Sequence, residues 1–208
     1  MATADQSVRV AWAEDAPAIA AVQARAWQSY SDLLPGALVA GIDTEAFAET
    51  WRQAISKPPS AHHRVLVALE RNTVVGFAAT APSDDPDAEP ADGEVVAFHV
   101  DPDATGAGHG SRLVSAVADT LRADGFSHAR VWLIAGDDAV RAFLEPAGWG
   151  ADGAHRQLDL TGDGTTMLRQ VRLQTDLRPS AAESPMIMSR RGTPGLAETA
   201  DTRRPGSR

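Results

Sequence analysis

One stretch limits this chain more than any other: Val100-Asp101-Pro102-Asp103-Ala104-Thr105-Gly106-Ala107-Gly108-His109-Gly110-Ser111-Arg112-Leu113. A β-rich run from Val95 to Val100 leads into a glycine loop, and the loop opens an amphipathic helix. Glycine lacks a Cβ and tolerates positive φ, so consecutive N–H groups can converge on one point. The helix behind the loop adds orphan donors and the positive end of its dipole. Strand, loop and helix in this order make either a plain structural turn or a seat for a phosphate-bearing ligand. Spacing narrows the ligand. Five residues, Pro102 among them, separate the strand end from Gly106, whereas a dinucleotide fingerprint puts its first glycine almost directly after the strand. The third glycine of that fingerprint would fall at Ser111, and no strand-ending acid follows at the expected distance. A P-loop is excluded because no Gly-Lys-Ser/Thr is present.

The pattern resembles the acyl-CoA loop of the GCN5-related N-acetyltransferases, the GNAT superfamily, which reads Val-x-Pro-x-x-(Arg/Gln)-Gly-x-Gly-x-Gly/Ala before a helix carrying a Leu. Val100, Pro102, Gly106, Gly108, Gly110 and Leu113 fall in register, while Thr105 takes the Arg/Gln position and removes one side-chain donor. A second family element follows at the right distance: a strand from Ala129 to Ala135, a short helix, Phe143-Leu144 and Gly148-Trp149. Asp137 replaces the usual Asn there, and Leu144 stands where a Tyr often protonates the departing thiolate. The resemblance spans residues 7–174. It implies an α/β (α+β) fold, with a mixed, mostly antiparallel sheet of six to seven strands flanked by about four helices. It also implies acetyl-CoA as co-substrate, with pantetheine bonding to the backbone of Phe98, His99 and Val100 like an added strand. Thr105, Gly106, Gly108, His109, Gly110 and Ser111 would surround the diphosphate. Asp137 would bond the pantetheine amide or cap the helix behind it.

The segments read from residue patterns agree with that order, β-α-α-β-β-β-α-β-α-β-β. Val8 to Trp12 is a strand, and Glu14-Asp15-Ala16-Pro17 starts a helix running to about Ser31. Leu33-Leu34-Pro35-Gly36 breaks it, and a second helix runs from Asp43 or Thr44 to the residues before Pro58. Arg64–Glu70 and Val74–Ala81 form a hairpin across Arg71-Asn72-Thr73. Residues 82–93 are acidic and poor in apolar groups, which reads as a mobile loop. The glycine-loop helix runs from Gly108 to about Ala123, a short helix covers Asp138–Glu145, and a last hairpin joins Arg156–Leu160 to Thr166–Leu173. One domain over residues 1–176 is expected, followed by an Arg-, Pro- and Ser-rich disordered tail over 177–208 whose one apolar bead is Met186-Ile187-Met188.

Composition removes several functions. The chain has no cysteine, so disulfides, thiolate metal sites and a Cys nucleophile are absent together. No run reaches a membrane span, and residues 1–7 lack a signal peptide's basic and apolar regions; cytoplasmic location is the natural reading. Net charge is −9 overall and about −12 for the body once the +3 tail is set aside, which disfavours nucleic acid as a partner. His62, His63, His109, His128 and His155 show no metal-ligand spacing. The expected partners are a small-molecule or peptide amine and, as an assembly, a homodimer.

Acetyl transfer from a thioester to an amine needs a held donor, a polarised carbonyl, a neutral amine and a proton for the thiolate. A protonated amine (pKa about 10) has no lone pair, so a base is needed. Glu94, at the strand start six residues before Val100, is the first candidate, and an exposed acid closing the acidic loop is its alternative. Period-2 alternation puts Glu94 with Val96 and Phe98, and His99 on the opposite face as second candidate or as a packed core imidazole. Trp27, Tyr30 and Trp51 read as an aromatic wall for the acceptor, or as core. The acid is unassigned. An acyl-CoA-binding module with little catalysis is the alternative function, and a nucleotide-binding protein the third.

Overall fold

The structure, a computed structural model, describes residues 6–160 and 162–178; the expected tail beyond Arg178 lies outside the described residues. Seven strands form one sheet: β1 (Gln6–Val10), β2 (Arg64–Glu70), β3 (Thr73–Pro82), β4 (Asp92–Val100), β5 (His128–Ile134), β6 (Gly150–Asp159) and β7 (Met167–Asp176). Their spatial order is β1-β2-β3-β4-β5-β7-β6, and β4–β5 is the parallel pair in an otherwise antiparallel sheet. Five helices flank it: α1 (Ala16–Ser29), α2 (Gly36–Ala40), α3 (Thr44–Ser56), α4 (His109–Ala123) and α5 (Asp138–Leu144). The single turn of α2 was not expected from the sequence. Pro35 starts it by accepting from Leu38 N–H, and Leu38 is thereby turned inward.

Alternation along β2 and β3 explains how both faces are covered. Leu66, Ala68, Val75 and Ala78 meet Leu113, Val117 and Leu121, which form one stripe of α4. Val65, Val67, Leu69, Phe77 and Ala79 meet Ile19 and Val22 of α1 and Trp51 of α3. Gly93 makes close packing possible at the base of α4, since a Cβ there would sit 2.7 Å from Leu121 Cδ2. Leu177, counted with the tail in the sequence, is buried; its N–H donates to Ser127 O and its carbonyl accepts from Arg122 Nε.

Two features of β4 position the site. First, Ala79 pairs with Ala97 but Thr80 pairs with Val95, so Val96 is an extra residue, a β-bulge. Second, β4 and β5 pair only from Asp92↔His128 to Val95↔Val131 and then part, with each strand still bonded to its outer neighbour. The bulge and the split coincide. Among the described residues no helix is long and apolar enough to cross a membrane.

The acidic loop corrects a sequence expectation. Residues 82–93 are not a wholly solvated run: Asp85 and Asp92 are buried, while Asp84, Pro86, Asp87, Glu89 and Pro90 stay exposed. Arg172 of β7 donates to Asp85 at 3.0 Å and to Asp87 at 2.7 Å, and Arg130 of β5 pairs with Asp92 at 2.8 Å. Charge pairing fastens a segment that apolar packing could not.

Candidate active site

The glycine loop takes the shape its residues require. Gly106 and Gly108 have φ of +76° and +85°, a region that L side chains avoid, and Gly108 is the N-cap of α4. Gly110 is needed for space: a Cβ would lie 3.0 Å from Phe143 Cζ. Among the described residues, none accepts a hydrogen bond from the backbone N–H groups of residues 105–111. Five of these donors, on Thr105, Gly106, Gly108, Gly110 and Ser111, belong to residues that line a cavity of about 580 Å³ together with Phe98, His99, Val100 and Asp137. The Thr105 hydroxyl donates to Pro102 O at 3.0 Å and so turns back on its own loop.

A second cavity of about 350 Å³ lies along the parted strands, lined by Val95 to His99 of β4 and Val131 to Ile134 of β5. Tyr30, Phe98, His99, Asp137 and Val140 line both spaces. A split sheet with a phosphate-suited loop at one end and a second cleft at the other suits a long, extended acyl carrier. Residues 24–149 match the acetyltransferase (GNAT) family. This chain belongs to the GNAT family of acetyltransferases. No curated protein sequence matches it.

Solved structures share the GNAT fold at low identity. PaiA N-acetyltransferase from Thermoplasma acidophilum, in complex with coenzyme A, superposes with a TM-score of 0.66 at 15% identity, covering 82% of this chain and 98% of its own. YncA, a putative acetyltransferase from Salmonella typhimurium with its cofactor acetyl-CoA, gives 0.62 at 20%, covering 86% and 97%. The ribosomal-protein-alanine N-acetyltransferase from Brucella melitensis gives 0.61 at 19%, covering 82% and 99%.

Within this GNAT frame the sequence-predicted residues separate. Trp27 and Tyr30 line the smaller cavity, but Trp51 does not; its Nε1 donates to Gln23 Oε1 at 2.6 Å and its ring meets Phe77 edge-on. His109, expected to face solvent or phosphate, points the other way. Its ring is buried, with Nε2 3.7 Å from Glu70, so only its backbone belongs to the loop. Helical periodicity explains this, because Leu113 and Val117 continue the same inward stripe. Asp137 caps α5 by accepting from Val140 N–H at 3.1 Å, and its carboxylate also faces Tyr30. Burial and that negative charge push the Tyr30 phenol well above its ordinary pKa. Leu144 is buried in the wall of the smaller cavity.

The bulge overturns the expected alternation. Glu94 pairs with Ala81 and His99 with Phe77, so Glu94, Ala97 and His99 share the face toward α1 and α3, while Val95 and Phe98 face α4. Glu94 lines neither cavity. It sits under the acidic loop, accepts from Ser83 Oγ at 3.2 Å, and has Asp84 and Asp85 beside it. Burial first, and Asp85 second, raise its carboxyl above the usual range. His99 lies where the two cavities meet. Burial lowers its imidazole to about 4, and Nδ1 has no hydrogen-bond partner among the described residues.

Sequence reading missed Arg156, Gln170 and Trp132, which line the smaller cavity, and Asp85, which holds Trp132. The signal was present but unpaired. Arg156 and Arg172 lie on the strands read as the last hairpin, and a charge that becomes buried on a strand calls for a partner.

Proposed function

We propose that the protein transfers the acetyl group of acetyl-CoA to a primary amine by direct attack within a ternary complex. The observation that carries this reading is the run of unpartnered N–H groups over residues 105–111, five of them on residues that line a cleft shared with His99. Such a row suits a diphosphate, and the inner edge of β4 beyond Val96, which β5 leaves unpaired, suits the pantetheine amides. A backbone N–H in Phe98–Val100 would polarise the thioester carbonyl, a contribution of about 3–4 kcal/mol for one donor of this kind.

The amine nitrogen, neutral once its ammonium proton has passed to water, attacks the carbonyl carbon, the N–C bond forms and the carbonyl electrons move to oxygen. The nitrogen of this adduct is far more acidic than a free ammonium, so a weakly basic neutral imidazole suffices to take its proton. His99 is that group. Its lowered pKa makes the resulting imidazolium a strong acid, able to return the proton to sulfur as the C–S bond breaks. One residue between the two clefts thereby replaces the tyrosine acid that Leu144 cannot provide. Tyr30 acts as a hydrogen-bond donor, since a phenolate beside Asp137 is disfavoured. Glu94 is roughly 15 Å along the strand from His99 by the 3.3 Å rise per residue, so it reaches the reacting atoms only through water.

Calorimetry against acetyl-CoA, CoA, NAD and ATP, together with thiol release over pooled amines, tests the reading. Binding confined to the CoA compounds with thiol release supports it. CoA binding with no turnover for any amine would leave the non-catalytic module suggested by Leu144, and tight NAD or ATP binding would remove both.

A further inference from the structure

The smaller cavity is mainly apolar, with Trp27, Leu34, Leu38, Leu158 and Leu168 in its wall, yet one cation opens into it. The guanidinium carbon of Arg156 lies over the Trp132 ring, 4.2 Å from its centroid. Its Nε donates to Gln170 Oε1 at 2.7 Å. Trp132 is itself fixed, donating from Nε1 to both oxygens of Asp85 at 3.1 and 3.2 Å. The ring face and the Nε bond thus hold the fork in one orientation before any ligand arrives.

The outer nitrogens of that fork are unspent. Among the described residues no group accepts a hydrogen bond from either; the nearest acid, Asp85, stands 3.8 Å from Nη1 and is already engaged by Arg172 at 3.0 Å. A preorganised guanidinium with spare donors in an apolar cleft is suited to a planar oxyanion, which it grips through two parallel bonds. His99, Tyr30 and Asp137 line the same cavity.

Resting on the acetyltransferase reading above, we propose that the acceptor is an amine bearing a carboxylate and an apolar side chain, in the manner of a free hydrophobic α-amino acid. Its carboxylate lies on Arg156, its side chain against the leucine wall, and its amine at the junction beside His99. A polyamine, with a second cation where this one sits, is disfavoured by the same geometry.

The test uses full-length protein, acetyl-CoA and matched acceptors: leucine with isoamylamine, phenylalanine with phenethylamine, and each amino acid with its amide. Thiol release gives kcat and KM for each. The carboxylate-bearing member is expected to lead by about ten- to a hundredfold in kcat/KM, the range of a charge-assisted hydrogen bond. Arg156→Gln should collapse that ratio toward one through KM of the amino acid, and Arg156→Lys should restore part of it. Calorimetric CoA binding is followed in parallel for every variant. Normal CoA binding and turnover without preference for the carboxylate, or an Arg156→Gln loss equal for both members of a pair, overturns this assignment alone. Absence of CoA binding overturns the transferase reading beneath it. Because the selectivity ratio needs only the unmodified protein, an Arg156 variant that fails to fold does not protect the proposal.

Discussion

The two clefts that meet at His99 are built by opposite means. The larger one is made of backbone: a loop with two glycines at positive φ and a helix start, contributing N–H groups and almost no side-chain chemistry. The smaller one is made of side chains from many separated segments, α1, β4, α4, β5, α5, β6 and β7 among them, and Arg172, Arg130, Asp85 and Trp132 form one network beside it. A backbone site tolerates changes of side chain but not of shape. A side-chain site has the reverse sensitivity, and its shape depends on partners distant in sequence. The contrast predicts different failures in the two halves.

The largest effect should come from Gly110→Glu. Phe143 already occupies the Cβ direction, and the added carboxylate would stand where a diphosphate is proposed. CoA binding should disappear in calorimetry while the circular dichroism spectrum of the fold is retained; unchanged affinity would break the backbone half of the comparison. Next is Arg172→Met, which leaves the buried Asp85 and the partly buried Asp152 carboxylates without their shared partner. Removing one side of a buried pair costs about 3–5 kcal/mol, so the urea midpoint should fall accordingly. A change under about 1 kcal/mol would mean that the network is dispensable to stability.

A smaller, pH-dependent effect is expected at His99. Its folded pKa is about 4 against an ordinary 6.5, so the unfolded chain binds more protons between these values. Stability contributed by the neutral imidazole is therefore complete above about pH 6.5 and lost as pH falls toward 4. His99→Gln should flatten that part of the stability curve, and should also slow thiol release at neutral pH. Persistence of the slope would assign it to other groups. The smallest effect is at Asp137→Asn. Asparagine still caps α5, so the melting temperature should barely move. The phenol of Tyr30, the one tyrosine in the chain, should titrate at lower pH once the facing charge is gone, as absorbance at the tyrosinate band will report. An unmoved titration would show that burial alone sets it.

Which parts could be read in advance follows the same division. The loop was legible because local rules govern it: glycine permits positive φ, a helix start offers free donors, and both are written in consecutive residues. The paired motifs at 100–113 and 129–149 likewise carried the sheet and its helices. Trp51 was left open between wall and core, and His109 was misplaced, because an aromatic or a histidine on an amphipathic helix serves the core as readily as a site, and only packing chooses. The acidic loop was misread because counting apolar residues ignores arginines that arrive from β5 and β7.

By itself, then, the sequence determined the strand-loop-helix seat, the family and the order of elements, all products of short-range backbone preference and hydrophobic period. Only the tertiary structure decided which face Glu94 and His99 occupy, because one bulged residue, Val96, reverses the alternation from that point on. It alone brought Arg156, Trp132, Asp85 and Arg172 together, since ion pairs and ring stacking depend on distances in space that linear spacing does not encode.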